Sequence, residues 1–185
     1  MNKEDIAMLK VQVIENAKNT QSILSDFIQE KHLSIMQNPL ISEGKMAFKA
    51  PNLVKWEYTK PYKNIAIFKG ESLHVLNEGK KDNIDLSSNK LFRSLNSLIV
   101  SSIKGDMFDE SQFEFSFYKI DDGYMVTFIP KDRRIKKFIS SFELQFSTSA
   151  EVQKVKLIEP NDDFTWITFK NRRLNQEVSL KTFEL

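Results

Sequence analysis

Short runs in which apolar and polar residues alternate, each closed by proline, glycine or an Asx residue, constrain this chain more than any other feature. Phe113, Phe115 and Phe117 alternate with Glu114 and Ser116, Phe142, Leu144 and Phe146 with Glu143 and Gln145, and Trp56 and Tyr58 with Lys55 and Glu57. A period of two is the period of a β-strand, so each run presents one apolar face and one wet face. The boundaries have physical causes: proline gives the ladder no donor, and glycine takes up positive φ. Runs at 45–49, 53–59, 64–68 and 72–76 stop at Pro51-Asn52, Lys60-Pro61, Gly70 and Glu78-Gly79. Others follow at 112–120, 124–129, 138–147, 152–158 and 164–170, with a short tail around 178–183. Asp122-Gly123, between two of these runs, is the strongest hairpin signal.

Two segments keep a helical period instead. Over 3–18, Ile6, Leu9, Val13 and Ala17 share a face, Asn2 can cap, and Glu4 and Asp5 occupy the positive first turn. Over 88–103, Leu91, Leu95, Leu98 and Ile99 form one stripe, with Ser87 or Ser88 as cap and Gly105 as terminator. Between the first helix and Asn38-Pro39 a long extended segment places Ile23, Phe27, Leu33 and Ile35 on one side. There is no internal repeat and no linker, so residues 1–185 are read as a single domain. The expected fold is mainly β (α+β): a curved antiparallel sheet forming an unclosed barrel, with an N-terminal helix and a central helix as lid or plug. About ten one-sided strands do not stay flat, and when they curl the concave face is the apolar one, which can hold a ligand.

Composition narrows the function. At 41% hydrophobic and 28% charged residues the chain is an ordinary folded one. A net charge of +2 gives no field to recommend nucleic acid. With no cysteine there are no disulfides, thiolate metal sites or cysteine nucleophiles. No apolar run is long enough for a membrane helix, and Met1-Asn2-Lys3-Glu4-Asp5 lacks the apolar core of a signal peptide. His32 and His74 lie on different runs without metal-ligand spacing, and the pairs Asp121-Asp122 and Asp162-Asp163 sit in turns, where Asp serves the backbone. No P-loop, dinucleotide fingerprint or nucleophile elbow occurs. The chain is therefore read as no enzyme, needing no cofactor or metal. Arg133, Arg134, Lys136 and Lys137, with Asp132 as their sole nearby carboxylate, form a basic cluster suited to docking on an acidic partner or on anionic lipid headgroups.

From Gly44 to Pro61 the residues become recognisable. The run Gly-Lys-Met-Ala-Phe-Lys-Ala-Pro-Asn-Leu-Val-Lys-Trp-Glu-Tyr at 44–58, closed by Pro61, resembles the periplasmic outer-membrane lipoprotein carriers of the LolA family. Residues 65–75 look like that family's apolar strand, turn and next strand. Phe27-Ile28-Gln29-Glu30 resembles its first strand, and 124–130, 138–146 and 152–169 match in order. The resemblance implies a half-barrel that shields the acyl chains of lipoproteins. It would take them from an inner-membrane ATP-driven releasing complex and pass them to an outer-membrane receptor. A carrier of this kind is expected to be a periplasmic monomer, with a signal peptide removed ahead of Met1 and no nucleic acid among its partners. The cavity wall expected is Trp56, Tyr58, Ile65, Ile67, Leu73 and Val75, with Phe113, Phe115 and Phe117 beyond the central helix and Leu91, Leu95, Leu98 and Ile99 as lid. One departure stands out: where the family commonly has Arg before the proline, this chain has Ala50, so a lid-locking arginine does not carry over. The rival reading is an envelope lipid- or peptide-sensing module using the same half-barrel as a binding surface. A hydrolase with an unrecognised site is a distant third.

Overall fold

In the computed structural model, residues 1–70, 72–77, 79–85 and 106–185 are described. The central stripe Leu91, Leu95, Leu98 and Ile99 lies outside them. The described residues form helix α1 (Lys3–Lys18) and eleven strands: β1 (Ser22–His32), β2 (Leu40–Lys49), β3 (Leu53–Lys60), β4 (Asn64–Lys69), β5 (Ser72–Asn77), β6 (Lys80–Asp85), β7 (Phe113–Ile120), β8 (Gly123–Pro130), β9 (Ser141–Ser147), β10 (Val152–Ile158) and β11 (Phe164–Leu174). A short helix spans Arg133–Lys136 and a 3-10 turn spans Leu180–Phe183. The strands join one sheet in the order β6-β5-β4-β3-β2-β1-β11-β10-β9-β8-β7, which is not closed into a barrel. This is the mainly β architecture read from the alternation.

Two elements differ from the sequence reading. β6 was not anticipated, because Lys-Lys-Asp-Asn-Ile-Asp has no apolar alternation; it forms by pairing along β5, from Asn77↔Lys80 to Ser72↔Asp85, with Gly79 at φ +85° in the turn. The tail around 178–183 is not a strand. Val178 and Phe183 are both buried, and with Ala47 and Ile67 they make a core cluster joined by Leu24, Leu53, Ile65 and Leu185. Phe183 is 0% exposed. The Lys49 ammonium donates to the Val178 carbonyl and Lys81 Nζ donates to the Leu185 carbonyl at 2.8 Å, so this segment is fixed by charge as well as by packing. Lys49, next to Ala50, is thus occupied in holding the C-terminal segment.

The contacts divide the chain into two compact units. One comprises Met1–Asn19, Gln29–Leu40 and, among the described residues, 106–168. In it α1 buries Leu9 and Val13, and Asn2 caps the helix by accepting the Asp5 N–H at 2.8 Å. The other comprises Thr20–Ile28, the described part of 41–85, and Phe169–Leu185.

Asp163 illustrates how an aspartate in a turn serves the backbone. Its Oδ1 accepts the Ser34 N–H at 2.7 Å and its Oδ2 accepts from Asn161 Nδ2 at 2.8 Å. The Ser34 N–H, more than any other group, holds this carboxyl below its ordinary range. A folded pKa below the unfolded one stabilises fully above the ordinary carboxylate range, and that gain is lost as pH falls through the lowered value. Asp163→Asn is therefore expected to melt below the parent at pH 7, and the gap between the two melting temperatures should close on acidification. A gap independent of pH contradicts the assignment.

Candidate functional site

In the unit that contains β3, strand register sorts the expected wall residues. Residues opposite one another in adjacent strands share a face. Trp56 lies opposite Met46 and Ala66, Tyr58 opposite Gly44 and Asn64, and Val54 opposite Phe48 and Phe68. Ala66 then lies opposite Val75, and Phe68 opposite Leu73. Trp56, Tyr58, Leu73 and Val75 are therefore brought to one face. Ile65 and Ile67 are not: they lie opposite Glu57 and Lys55 and face the other way, into the core cluster with Phe183. An odd-numbered residue on β4 pairs with an odd-numbered residue on β3, and sequence alternation alone does not reveal that phase.

The Trp56 face is built around a residue that the cavity-wall expectation left out. Phe27 of β1 crosses β2 at Gly44, where there is no side chain, and meets Trp56 edge-on at 4.9 Å and Tyr58 at 5.1 Å. Phe169 adds a ring 6.1 Å from Trp56. Phe27 is buried, while Trp56, Tyr58, Ala66 and Val75 are half-buried. Burial raises the Tyr58 phenol above its ordinary pKa. Trp56 Nε1 is buried without a hydrogen-bond partner among the described residues, which costs desolvation energy that the surrounding rings do not return. The signal available for Phe27 was its parity with Ile23 in the extended segment, and for the crossing it was Gly44 inside a strand.

The reverse face of this unit carries a different kind of recess, of about 420 Å³, lined by Asp26, Lys45, Lys55, Glu57, Arg173 and Thr182 among others. Lys55 and Glu57 form an ion pair at 2.9 Å, and Asn171 donates to Asp26 at 2.8 Å. Leu24, Met46 and Ala47 also line this hollow, so it is mixed in character, unlike the aromatic platform.

In the other unit, Phe113, Phe115 and Phe117 do share a face. They lie opposite Pro130, Phe128 and Val126, and the face continues through Phe142 and Leu144. Phe108 enters the cluster, 5.9 Å from both Phe115 and Phe117 and stacked on Phe128 at 6.0 Å. Helix α1 lies against it. The Lys10 ammonium stands 5.4 to 5.8 Å from the rings of Phe117, Phe108 and Phe115 and pairs with Glu110 at 3.2 Å. Phe113 is buried, and Phe115 and Phe117 are half-buried. On the reverse face Lys156 sits 4.5 Å from the Phe164 ring and 5.2 Å from the Trp166 ring.

The other sequence candidates are placed as follows. His32 stacks on Phe164 at 4.4 Å, and His74 Nδ1 is 2.6 Å from Asn83 Oδ1. Among the described residues no three His, Asp or Glu side chains gather as for a metal ion, and no helix is long and apolar enough to cross a membrane. Arg133, Arg134, Lys136 and Lys137 are all exposed, on and beside the short helix between β8 and β9.

The family model described as outer membrane lipoprotein carrier protein LolA matches residues 18–185, all eleven strands included. The chain belongs to the LolA family. The outer-membrane lipoprotein carrier protein of Francisella tularensis subsp. tularensis (strain WY96-3418) is 22% identical over 94% of this chain and 81% of its own length. Among solved structures, a LolA superfamily protein from Nitrosomonas europaea aligns with a TM-score of 0.53 at 13% identity, covering 97% of each chain. The lipoprotein LppX of Mycobacterium tuberculosis aligns at 0.55 and 12% identity, over 97% of this chain and all of the other. A DUF1329 family protein from Desulfovibrio piger aligns at 0.55 and 14%, over 98% and 96%. At these identities the structures share the fold. LolA-family proteins are periplasmic binding proteins without enzymatic activity, and membership gives this chain a lipoprotein-binding carrier role at the level of the family.

Proposed function

We propose that this chain is a periplasmic carrier that works as one functional domain. It shields the acyl chains of lipoproteins between an inner-membrane ATP-driven releasing complex and an outer-membrane receptor. The observation that carries this reading is the half-buried aromatic platform of Trp56 and Tyr58 over Phe27, extended along the same face by Leu73 and Val75. Transferring alkyl chain out of water gains about 0.8 kcal/mol per CH₂, so acylated cargo needs an escort across an aqueous compartment. Rings and branched aliphatics bind such chains through many weak contacts and release them without breaking any directed bond. Phe115 and Phe117, half-buried in the other unit, are proposed to add apolar contact of the same kind. Ile65 and Ile67 are not proposed as contacts, because they pack under the C-terminal segment.

The test uses an uncharged fluorescent diacylglyceryl probe. Val75→Lys places an ammonium on the platform face while standing opposite Asp82, so the strand pairing tolerates it. Binding is expected to weaken at least tenfold with an unchanged far-ultraviolet circular dichroism spectrum. Lys45→Gln, in the charged recess on the reverse face, should bind as the parent does. Equal affinity for parent and Val75→Lys would sink the proposal.

A further inference from the structure

We infer that the connection between β8 and β9 is a membrane-docking surface, which sets the protein on anionic phospholipid headgroups with Phe138 as its apolar anchor. Residues 131–140 carry five cations, Lys131, Arg133, Arg134, Lys136 and Lys137, against one carboxylate, Asp132. That carboxylate is already used. It caps the short helix by accepting the Arg134 N–H at 2.8 Å, and it pairs with the Arg134 guanidinium. Lys131 donates to the Glu110 carbonyl oxygen at 2.8 Å, a neutral acceptor. Arg133, Lys136 and Lys137 are exposed and have no ion-pair partner among the described residues. In a chain with a net charge of only +2 this is a local excess, and local charge is what a screened surface potential reads.

The second signal is apolar. Phe138 directly follows these cations and is 51% exposed, although Ile139 beside it is 6% exposed and serves the core. Ile129, where β8 enters the connection, is also exposed. The segment is held at both ends. The Lys131 N–H donates to Gln112 O at 2.8 Å and the Ser140 N–H to Ile158 O at 2.7 Å, while the Phe138 and Ile139 N–H groups both donate to Ile135 O. Phe138 is therefore presented by a fixed backbone, and burying it in another surface sacrifices little chain entropy. Cations of one sign flanking an exposed aromatic match a bilayer interface, where basic side chains meet phosphates and a ring enters the headgroup boundary. An acidic protein would have to supply a cleft for the ring as well as the charges. The surface lies apart from the Trp56 platform in sequence and in strand, so it goes beyond the acyl-carrier reading and does not depend on it.

The experiment is co-sedimentation of cargo-free protein with vesicles of phosphatidylglycerol and phosphatidylcholine, compared with phosphatidylcholine alone. The parent should sediment with the anionic vesicles, stay in solution with the neutral ones, and be released by about 0.5 M salt, where the Debye length is about 4 Å. The triple variant Arg133→Gln, Lys136→Gln, Lys137→Gln should lose at least tenfold in partitioning, and Phe138→Ser should lose several-fold while keeping the salt dependence. Absence of sedimentation with anionic vesicles overturns the inference, as does equal partitioning of the triple variant. An acidic protein partner in place of the bilayer would appear as impaired cargo transfer by the triple variant without vesicle binding by the parent, which also overturns it. No acyl probe enters the assay, so its failure is separate from failure of the carrier reading.

Discussion

Gly44→Ala is expected to cost about 3 kcal/mol or more, which in a domain of this size lowers the melting temperature by roughly 6 to 12 °C. A β-carbon at Gly44 would stand 2.3 Å from the Glu57 carbonyl oxygen and 2.5 Å from Cζ of Phe27. The first neighbour is backbone in the partnered strand β3, and moving it breaks the ladder between Gly44↔Tyr58 and Lys45↔Glu57. The second is the ring beneath Trp56 and Tyr58, and moving it dismantles the aromatic platform. Neither is the loose end of a flexible side chain, so relaxation is expensive. Thermal unfolding followed by near-ultraviolet circular dichroism reports both effects, because the Trp56 and Tyr58 signals should fall together with the midpoint. A midpoint within about 2 °C of the parent would mean that β2 can shift without loss, contrary to this packing.

Phe183→Ala is the second large loss, about 3 to 5 kcal/mol and on the order of 10 °C in melting temperature. The ring is fully buried against Ala47, Ile67 and Val178, and its removal leaves a cavity on the reverse face of β2 and β4. The tail cannot easily collapse into the space, because Lys49 and Lys81 hold its carbonyl groups at Val178 and Leu185. Phe183→Leu should recover more than half of the loss, since a bulky aliphatic fills much of the same volume. Chemical denaturation at equilibrium measures the difference. A cost below about 1 kcal/mol for the alanine variant would show that the tail is dispensable to the fold.

The strands that sequence made legible are those whose one-sidedness is forced by burial. Phe113, Phe115 and Phe117 emerge on one face because Glu114 and Ser116 have to reach water, and helix α1 follows from Leu9 and Val13 at helical spacing. Less legible was the phase between neighbouring strands. β4 is Asn-Ile-Ala-Ile-Phe-Lys, with apolar residues on both faces, because both are covered or half-covered. Ile65 and Ile67 thus looked as good a wall as any, and the register assigned the wall to Ala66 instead. β6 was hidden for the opposite reason: five of its six residues are polar, which leaves no apolar alternation to read, and the backbone ladder with β5 makes the strand. The tail read as a strand because Val178 and Phe183 are apolar at spaced positions, yet their burial comes from lying across a sheet rather than joining it. At the candidate site, Trp56 and Tyr58 were visible from the resemblance and the alternation. The crossing of Phe27 over Gly44 is a contact between segments that sequence does not pair.

The strand order also governs how the molecule can be assembled. Along β1 to β6, and again along β7 to β11, each strand pairs with the one just before it, so those hairpins can close while the ribosome is still extending the chain. β1 is the exception. Its second neighbour is β11, the last strand made, and until the chain has been extended from His32 to Phe164 and beyond, one edge of β1 carries open donors and acceptors beside the ring of Phe27. An unpaired edge next to exposed aromatic surface is the usual template for wrong pairing between nascent copies. The step most in need of protection during biogenesis is therefore the late arrival of β11 at β1, and chains stalled before residue 164 should be the ones that aggregate.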